Sequence, residues 1–243
     1  EVIKKEYLKC AKDPAYFLKK YAVIQHPIEG KIPFALYEFQ EKTLYDFEKH
    51  NYNIILKARQ LGISTLTAGY ALWMMTFQSD KNILVIATKQ DTAKNLVTKV
   101  RVMHANLPSW LKPKCVEDNK LSLRYANGSQ VKAISSGEDS GRSEALSLLI
   151  LDEAAFIPKI EEIWAAAQQT LATGGQCLVL STPNGVGNWF HKTWVAAEEG
   201  ESDFNFIKLH WSVHPEREQQ WRDEQNKLLG PSIAAQECDC DFI

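Results

Sequence analysis

Three observations predict an α/β fold with a mainly parallel sheet flanked by helices. Short apolar runs recur along the chain at Ile54–Leu56, Ile83–Ala87, Leu148–Leu151 and Cys177–Leu180. None alternates with polar residues, so each reads as a strand buried on both faces. Segments of helical period separate these runs, the alternation that builds parallel sheets. Polar or glycine-bearing motifs follow three of the four runs directly, and the carboxyl ends of parallel strands are where such sheets hold ligands.

Taken in order, residues 1 to about 50 read as helical segments broken at Pro14, Pro27 and Pro33, with an amphipathic helix over Tyr37–Phe47. The first buried strand leads into Lys57-Ala58-Arg59-Gln60-Leu61-Gly62-Ile63-Ser64-Thr65, and a helical pattern leaves it at Leu66. Another strand ends at Ala87, and a helix from Asp91 to about Ala105 follows. Asn127-Gly128 marks a hairpin turn among weak strand signals between residues 108 and 135. A helix over Glu161–Leu171, closed by Gly174-Gly175, joins the last two buried strands. Phe204–Trp211 alternates like a further strand, and Pro215–Leu229 is a polar helix.

The chain has 243 residues, 45% of them hydrophobic, which is enough for one large domain. Its net charge of −2 carries no global basic signature, so any nucleic-acid contact must use a local patch. Five cysteines without scaffold spacing read as free thiols, and neither they nor His210 and His214 form a zinc pattern. No apolar stretch reaches the length of a membrane span and no signal peptide opens the chain, so a cytoplasmic protein without membrane contact is expected.

Strand, tight loop and helix around Lys57–Thr65 are the setting of a phosphate-binding loop. A helix N-terminus offers unpaired N–H groups and positive dipole to phosphate oxygens. Gly62 and Ser64 fit the G-x-x-x-x-G-K-[ST] pattern, with Ser64 at the Mg²⁺-binding hydroxyl. Lys57 stands at the first glycine position and Ile63 at the lysine position, so alone the motif is also a bare helix start. Asp152-Glu153, after the third buried strand, puts two carboxylates at the sheet edge. The first can hold Mg²⁺ and the second can polarise an attacking water. Ser181-Thr182-Pro183-Asn184-Gly185 ends the next strand; its hydroxyls could sense a γ-phosphate, although the same residues make an ordinary turn.

Together and in this order, Lys57–Thr65, Leu149–Pro158 and Ser181–Gly185 resemble the ATPase domain of tailed-bacteriophage large terminase subunits, from about Phe39 to Phe242. The resemblance implies a P-loop NTPase of the RecA-like, ASCE type forming a single ATPase domain over 1–243. Its core would span about 48–205, with about 1–47 and 206–243 as a small lid or flanking subdomain. It implies an ATP- and Mg²⁺-dependent motor that moves double-stranded viral DNA into a prohead in the host cytoplasm. The implied partners are the portal protein, the small terminase subunit and further copies in a ring on the portal, with a monomer in isolation. Residue by residue, Phe39 and Gln40 match an upstream adenine-recognising pair. Lys57, Ala58, Arg59, Gln60, Leu61, Gly62, Ile63, Ser64 and Thr65 match the nucleotide loop. Asp152 and Glu153 match the metal-binding aspartate and catalytic glutamate, and Ser181, Thr182 and Pro183 the coupling motif. Arg59 and Arg142 match arginines that could supply transition-state charge.

Ile63 departs from the common lysine, and Lys57 is the obvious substitute, although a strand-end lysine can also face solvent. The nuclease domain of full-length family members does not follow Ile243, so the chain is expected to be an ATPase fragment without nuclease activity. Lys112, Lys114 and Lys132, with Lys120 and Arg124 nearby, form a candidate DNA-contacting patch or a solvated charged face. A helicase-like translocase and a nucleotide-binding module without catalysis are the rival readings. The first needs two RecA-like domains, and the second has no use for Glu153.

Overall fold

The computed structural model describes residues 1–134, 136 and 145–243. The described residues form strands β1 (Val23–His26), β2 (Gly30–Pro33), β3 (Tyr52–Lys57), β4 (Asn82–Ile86), β5 (Cys115–Asp118), β6 (Ser122–Tyr125), β7 (Gln130–Ile134), β8 (Leu148–Asp152), β9 (Gln176–Ser181) and β10 (Asn205–Leu209). The helices are α1 (Val2–Lys12), α2 (Pro14–Tyr21), α3 (Glu38–Lys49), α4 (Ile63–Phe77), α5 (Gln90–Ala105), α6 (Ile160–Leu171), α7 (Trp189–Glu198), α8 (Gln219–Leu229) and α9 (Pro231–Cys238).

Eight strands make one sheet in the order β10-β3-β9-β8-β4-β7-β6-β5. From β10 through β7 every pairing is parallel, and β7-β6-β5 turns antiparallel through Asn127-Gly128. All five residues of β8 are buried, as are the last five of β3 and of β9, so apolar runs without alternation do mark central strands. The path from β3 through α4 to β4 passes over β9 and β8. That leaves the carboxyl ends of β3, β9 and β8 side by side, a crevice of the kind that receives ligands in open parallel sheets.

Helix α4 is buried along twelve of its residues, including Leu66, Tyr70 and Met74, and is the central helix of the molecule. Helices α2 and α3 pack on it with Phe17, Leu18, Leu44 and Phe47, so the first fifty residues share the core of the sheet. The helical run breaks at Pro14, as the sequence predicts: α1 ends at Lys12 and Pro14 opens α2, with Asp13 as its cap accepting from the N–H groups of Ala15 (3.0 Å) and Tyr16 (3.2 Å). One local signal there differs from the sequence expectation. The hairpin β1–β2 occupies Val23–Pro33, with Pro27 in its turn, instead of helix. The polar helix expected from Pro215 begins at Gln219. Gly230 (φ +84°) ends it, and Pro231 opens the short α9.

Candidate active site

Lys57 closes β3, and its side chain is only 8% exposed. Its ammonium Nζ lies 3.2 Å from Glu153 Oε1. Glu153 follows β8 with φ +52°, a left-handed conformation uncommon outside glycine, and this turn sends its carboxylate back across the strand ends. Its other oxygen, Oε2, accepts from the Thr182 hydroxyl at 3.4 Å. The carboxylate is thus held between a cation from β3 and a hydroxyl from just beyond β9. Ser181, buried at the end of β9, accepts from the N–H of Ala155 through Oγ (3.1 Å). Asn184 donates to the Ala155 carbonyl (3.1 Å), so the Ser181–Asn184 stretch, with Pro183 buried within it, is stapled to the turn that carries Glu153.

Asp152 is 5% exposed. Burial, reinforced by the adjacent Glu153 and opposed by Lys57, pushes its carboxyl up from 3.8 to about 6. The Ser64 hydroxyl donates to its Oδ1 at 3.5 Å. A buried carboxylate and a hydroxyl facing each other are a donor set suited to Mg²⁺.

The loop between β3 and α4 is shaped from outside. Gly62 has φ +72°, and a Cβ there would come within 2.7 Å of Gln40 Nε2, so only glycine fits. Gln40 is buried; its Nε2 donates to the Leu61 carbonyl (3.0 Å) and its Oε1 accepts from the N–H of Tyr37 (2.9 Å). Phe39 is half-buried, its ring 5.9 Å from that of Tyr37, and Tyr37 in turn meets His214 at 4.6 Å. Ile63 is 2% exposed and faces the core, so the position usually given to lysine anchors α4 instead. The N–H of Ala58 is bound to the Leu209 carbonyl and that of Arg59 to the Glu237 carbonyl, both at 2.8 Å. The N–H groups from Gln60 through Thr65 have no backbone acceptor among the described residues. Arg59 points outward, 70% exposed, and forms an ion pair with the Glu237 carboxylate on α9.

Residues 54–243 match the family model described as terminase large subunit, T4likevirus-type, N-terminal. The chain belongs to the terminase large subunit family. It is 31% identical over 122 residues to the large terminase subunits of Thermus phage G20c and Thermus virus P23-45. These matches cover 43% of this chain and 24% of each relative, so the chain spans about a quarter of their length. Among solved structures, the large terminase ATPase domain of Thermus phage P74-26 superimposes with a TM-score of 0.67 at 23% identity, covering 82% of this chain and 92% of that one. The HK97 bacteriophage large terminase gives 0.67 at 18% identity over 89% of this chain and 47% of that one. The α/β P-loop fold is therefore the terminase fold.

Within this terminase domain Lys57, Ser64, Asp152, Glu153 and Thr182 come together at one crevice. Arg142 lies outside the described residues. Lys112, Lys114 and Lys132 are exposed. Lys132 lies on β7, separated from β3 by β9, β8 and β4. Arg217 and Glu237, which brace the loop, stand about 160 and 180 residues beyond it in the chain, and no local pattern announces them. No helix among the described residues is long and apolar enough to cross a membrane.

Proposed function

We propose that this domain hydrolyses ATP and is the motor part of a DNA-packaging terminase. One observation carries the reading: Glu153 lies at the carboxyl ends of β3, β8 and β9, held by Lys57 and Thr182 beside the free N–H groups that open α4. Those N–H groups and the α4 dipole bind the phosphates. Lys57 replaces the loop lysine as the compact cation for the β- and γ-phosphates, and Arg59 adds charge to the transition state. Phe39 and Gln40 receive the base, Gln40 with the N–H not already given to Leu61. Ser64 and Asp152 hold Mg²⁺, which neutralises and orients the phosphates when bound. Glu153 takes the proton from the attacking water. Thr182, bonded to Glu153 and continuous with the stapled Ser181–Pro183 segment, passes the change at the phosphate to the rest of the domain.

Support for the nucleotide comes from a relative: the large terminase of the thermophilic bacteriophage D6E is known in complex with ADP and with ATP-γ-S. The wider proposal follows the family: double-stranded viral DNA as the moved substrate, a portal and a small subunit as partners, and a ring of copies in the host cytoplasm. In that ring Arg142 serves a neighbour's nucleotide. The core over about 48–205 carries the chemistry, and the flanking segments pack against it. No nuclease role is proposed for these residues. Titration with Mg·ATP tests the reading. A charge-assisted contact is worth about 1.5–3 kcal/mol, so Lys57→Met should raise the Kd roughly 10- to 150-fold. An unchanged Kd removes Lys57 from the site.

A further inference from the structure

The peptide groups of the phosphate loop are fixed by their oxygens. Arg217, in the turn before α8, donates through Nη1 to the Arg59 carbonyl (3.1 Å) and through Nη2 to the Gln60 carbonyl (2.8 Å). Gln40 does the same for the Leu61 carbonyl. Each trans peptide plane points its N–H opposite to its C=O. Holding three successive oxygens therefore turns the N–H groups of Gln60, Leu61 and Gly62 away from Arg217 and Gln40. None of the three has a protein acceptor among the described residues. The arrangement needs a left-handed residue, and Gln60, which is not glycine, supplies it at φ +57°.

A loop that lacks its first glycine and carries left-handed glutamine does not hold this shape by local preference. Arg217 supplies what the local chain lacks. Its guanidinium is planar, with two N–H groups spaced for two adjacent carbonyls. It lies over the Trp221 ring with Cζ 4.3 Å from the centroid, which fixes its plane. The side chain is half-buried, and both its terminal nitrogens are committed to the loop. A charged donor on a carbonyl also polarises the N–H across the same peptide.

We propose that Arg217 is a positioning residue of the nucleotide site: by binding the carbonyls of Arg59 and Gln60 it presents the N–H groups of Gln60 and Leu61 to phosphate. The inference rests on the nucleotide reading above. It assigns ground-state phosphate binding to a residue that never touches the nucleotide. The effect should therefore appear equally for ATP and ADP, and in binding more than in the chemical step.

Calorimetric titration of the full 243-residue chain with Mg·ATP and Mg·ADP tests it, with thermal melting as the control for folding. Arg217→Ala should weaken both nucleotides by about tenfold or more, since two charge-assisted hydrogen bonds are lost, while kcat at saturation stays within about threefold. Arg217→Lys, with its charge but no fork, should fall between, and millimolar guanidinium chloride should restore part of the alanine variant's affinity. If Arg217→Ala does not fold, Arg217→Lys decides alone, and several-fold weaker binding is required of it. A folded variant that binds within twofold of the unsubstituted chain overturns the proposal, as does a loss confined to kcat. Failure of the unsubstituted chain to bind either nucleotide would instead remove the nucleotide reading itself.

Discussion

Replacing Asp152 with Asn should stabilise the metal-free protein while abolishing its Mg²⁺ response. The carboxyl is pushed from 3.8 to about 6 by burial first and by Glu153 second, with Lys57 opposing. The folded state therefore keeps this proton between about pH 4 and 6, where the unfolded chain has already lost it. Proton binding favours the folded state in that window, so stability falls as pH rises through it and stays low above. About two pKa units at 1.36 kcal/mol each make a penalty of about 3 kcal/mol at pH 8. Asn has the same shape, can accept from Ser64 and carries no charge to desolvate, so it recovers up to that amount.

For a domain of this size each kcal/mol moves the melting temperature by roughly 2–4 °C, so Asp152→Asn should melt roughly 6–12 °C higher in EDTA at pH 8. The gap should close toward zero near pH 4, where both forms of the site are neutral. Adding millimolar Mg·ATP should raise the melting temperature of the unsubstituted chain and leave the variant nearly unmoved. Equal or lower melting of the variant at pH 8 would refute the reasoning. So would a gap that does not change with pH.

Glu153→Gln should keep or tighten ATP binding, because Lys57 loses its carboxylate partner, while turnover falls by roughly 10² to 10⁴; near-normal turnover removes Glu153 as the base. Glu237→Gln should release Arg59 from a carboxylate that is only 12% exposed, and kcat/KM should rise. A loss of activity in that variant would mean that Glu237 holds Arg59 where it is needed.

The parts of this molecule legible in its sequence are those whose signal is local. β3, β4, β8 and β9 are runs buried on both faces, and a helix start after Gly62 needs no distant partner to be recognised. Asp13-Pro14 is equally local, an N-cap followed by proline at the first helical position, and it separates α1 from α2 where the sequence breaks the helix. The hairpin β1–β2 has only four residues a strand, too few for a period to show. What could not be read are contacts made across the chain. Arg217 sits in a polar stretch whose charges all look solvated, and only the fold brings the turn before α8 onto two loop carbonyls. Whether Lys57 faced solvent or the site depended on the same kind of contact, with a carboxylate 96 residues away.

The position of Lys57 has a consequence for how such a site would work. A lysine on the first turn of α4 would serve the phosphates and leave the glutamate to its water. Here the cation comes from the end of β3, and Ile63 spends the helix position on the core. The Lys57 ammonium lies 3.2 Å from the Glu153 carboxylate, so the cation proposed for the phosphates and the proposed base are each other's partner. Phosphates arriving at the α4 N-terminus carry more charge than one carboxylate and compete for the same ammonium. If Lys57 turns to them, Glu153 keeps Thr182 as its remaining partner. On the proposed roles, one side chain would then link phosphate binding to the base. Because Thr182 belongs to the segment stapled at Ala155 and Asn184, the same displacement reaches the part of the domain proposed to couple hydrolysis to movement.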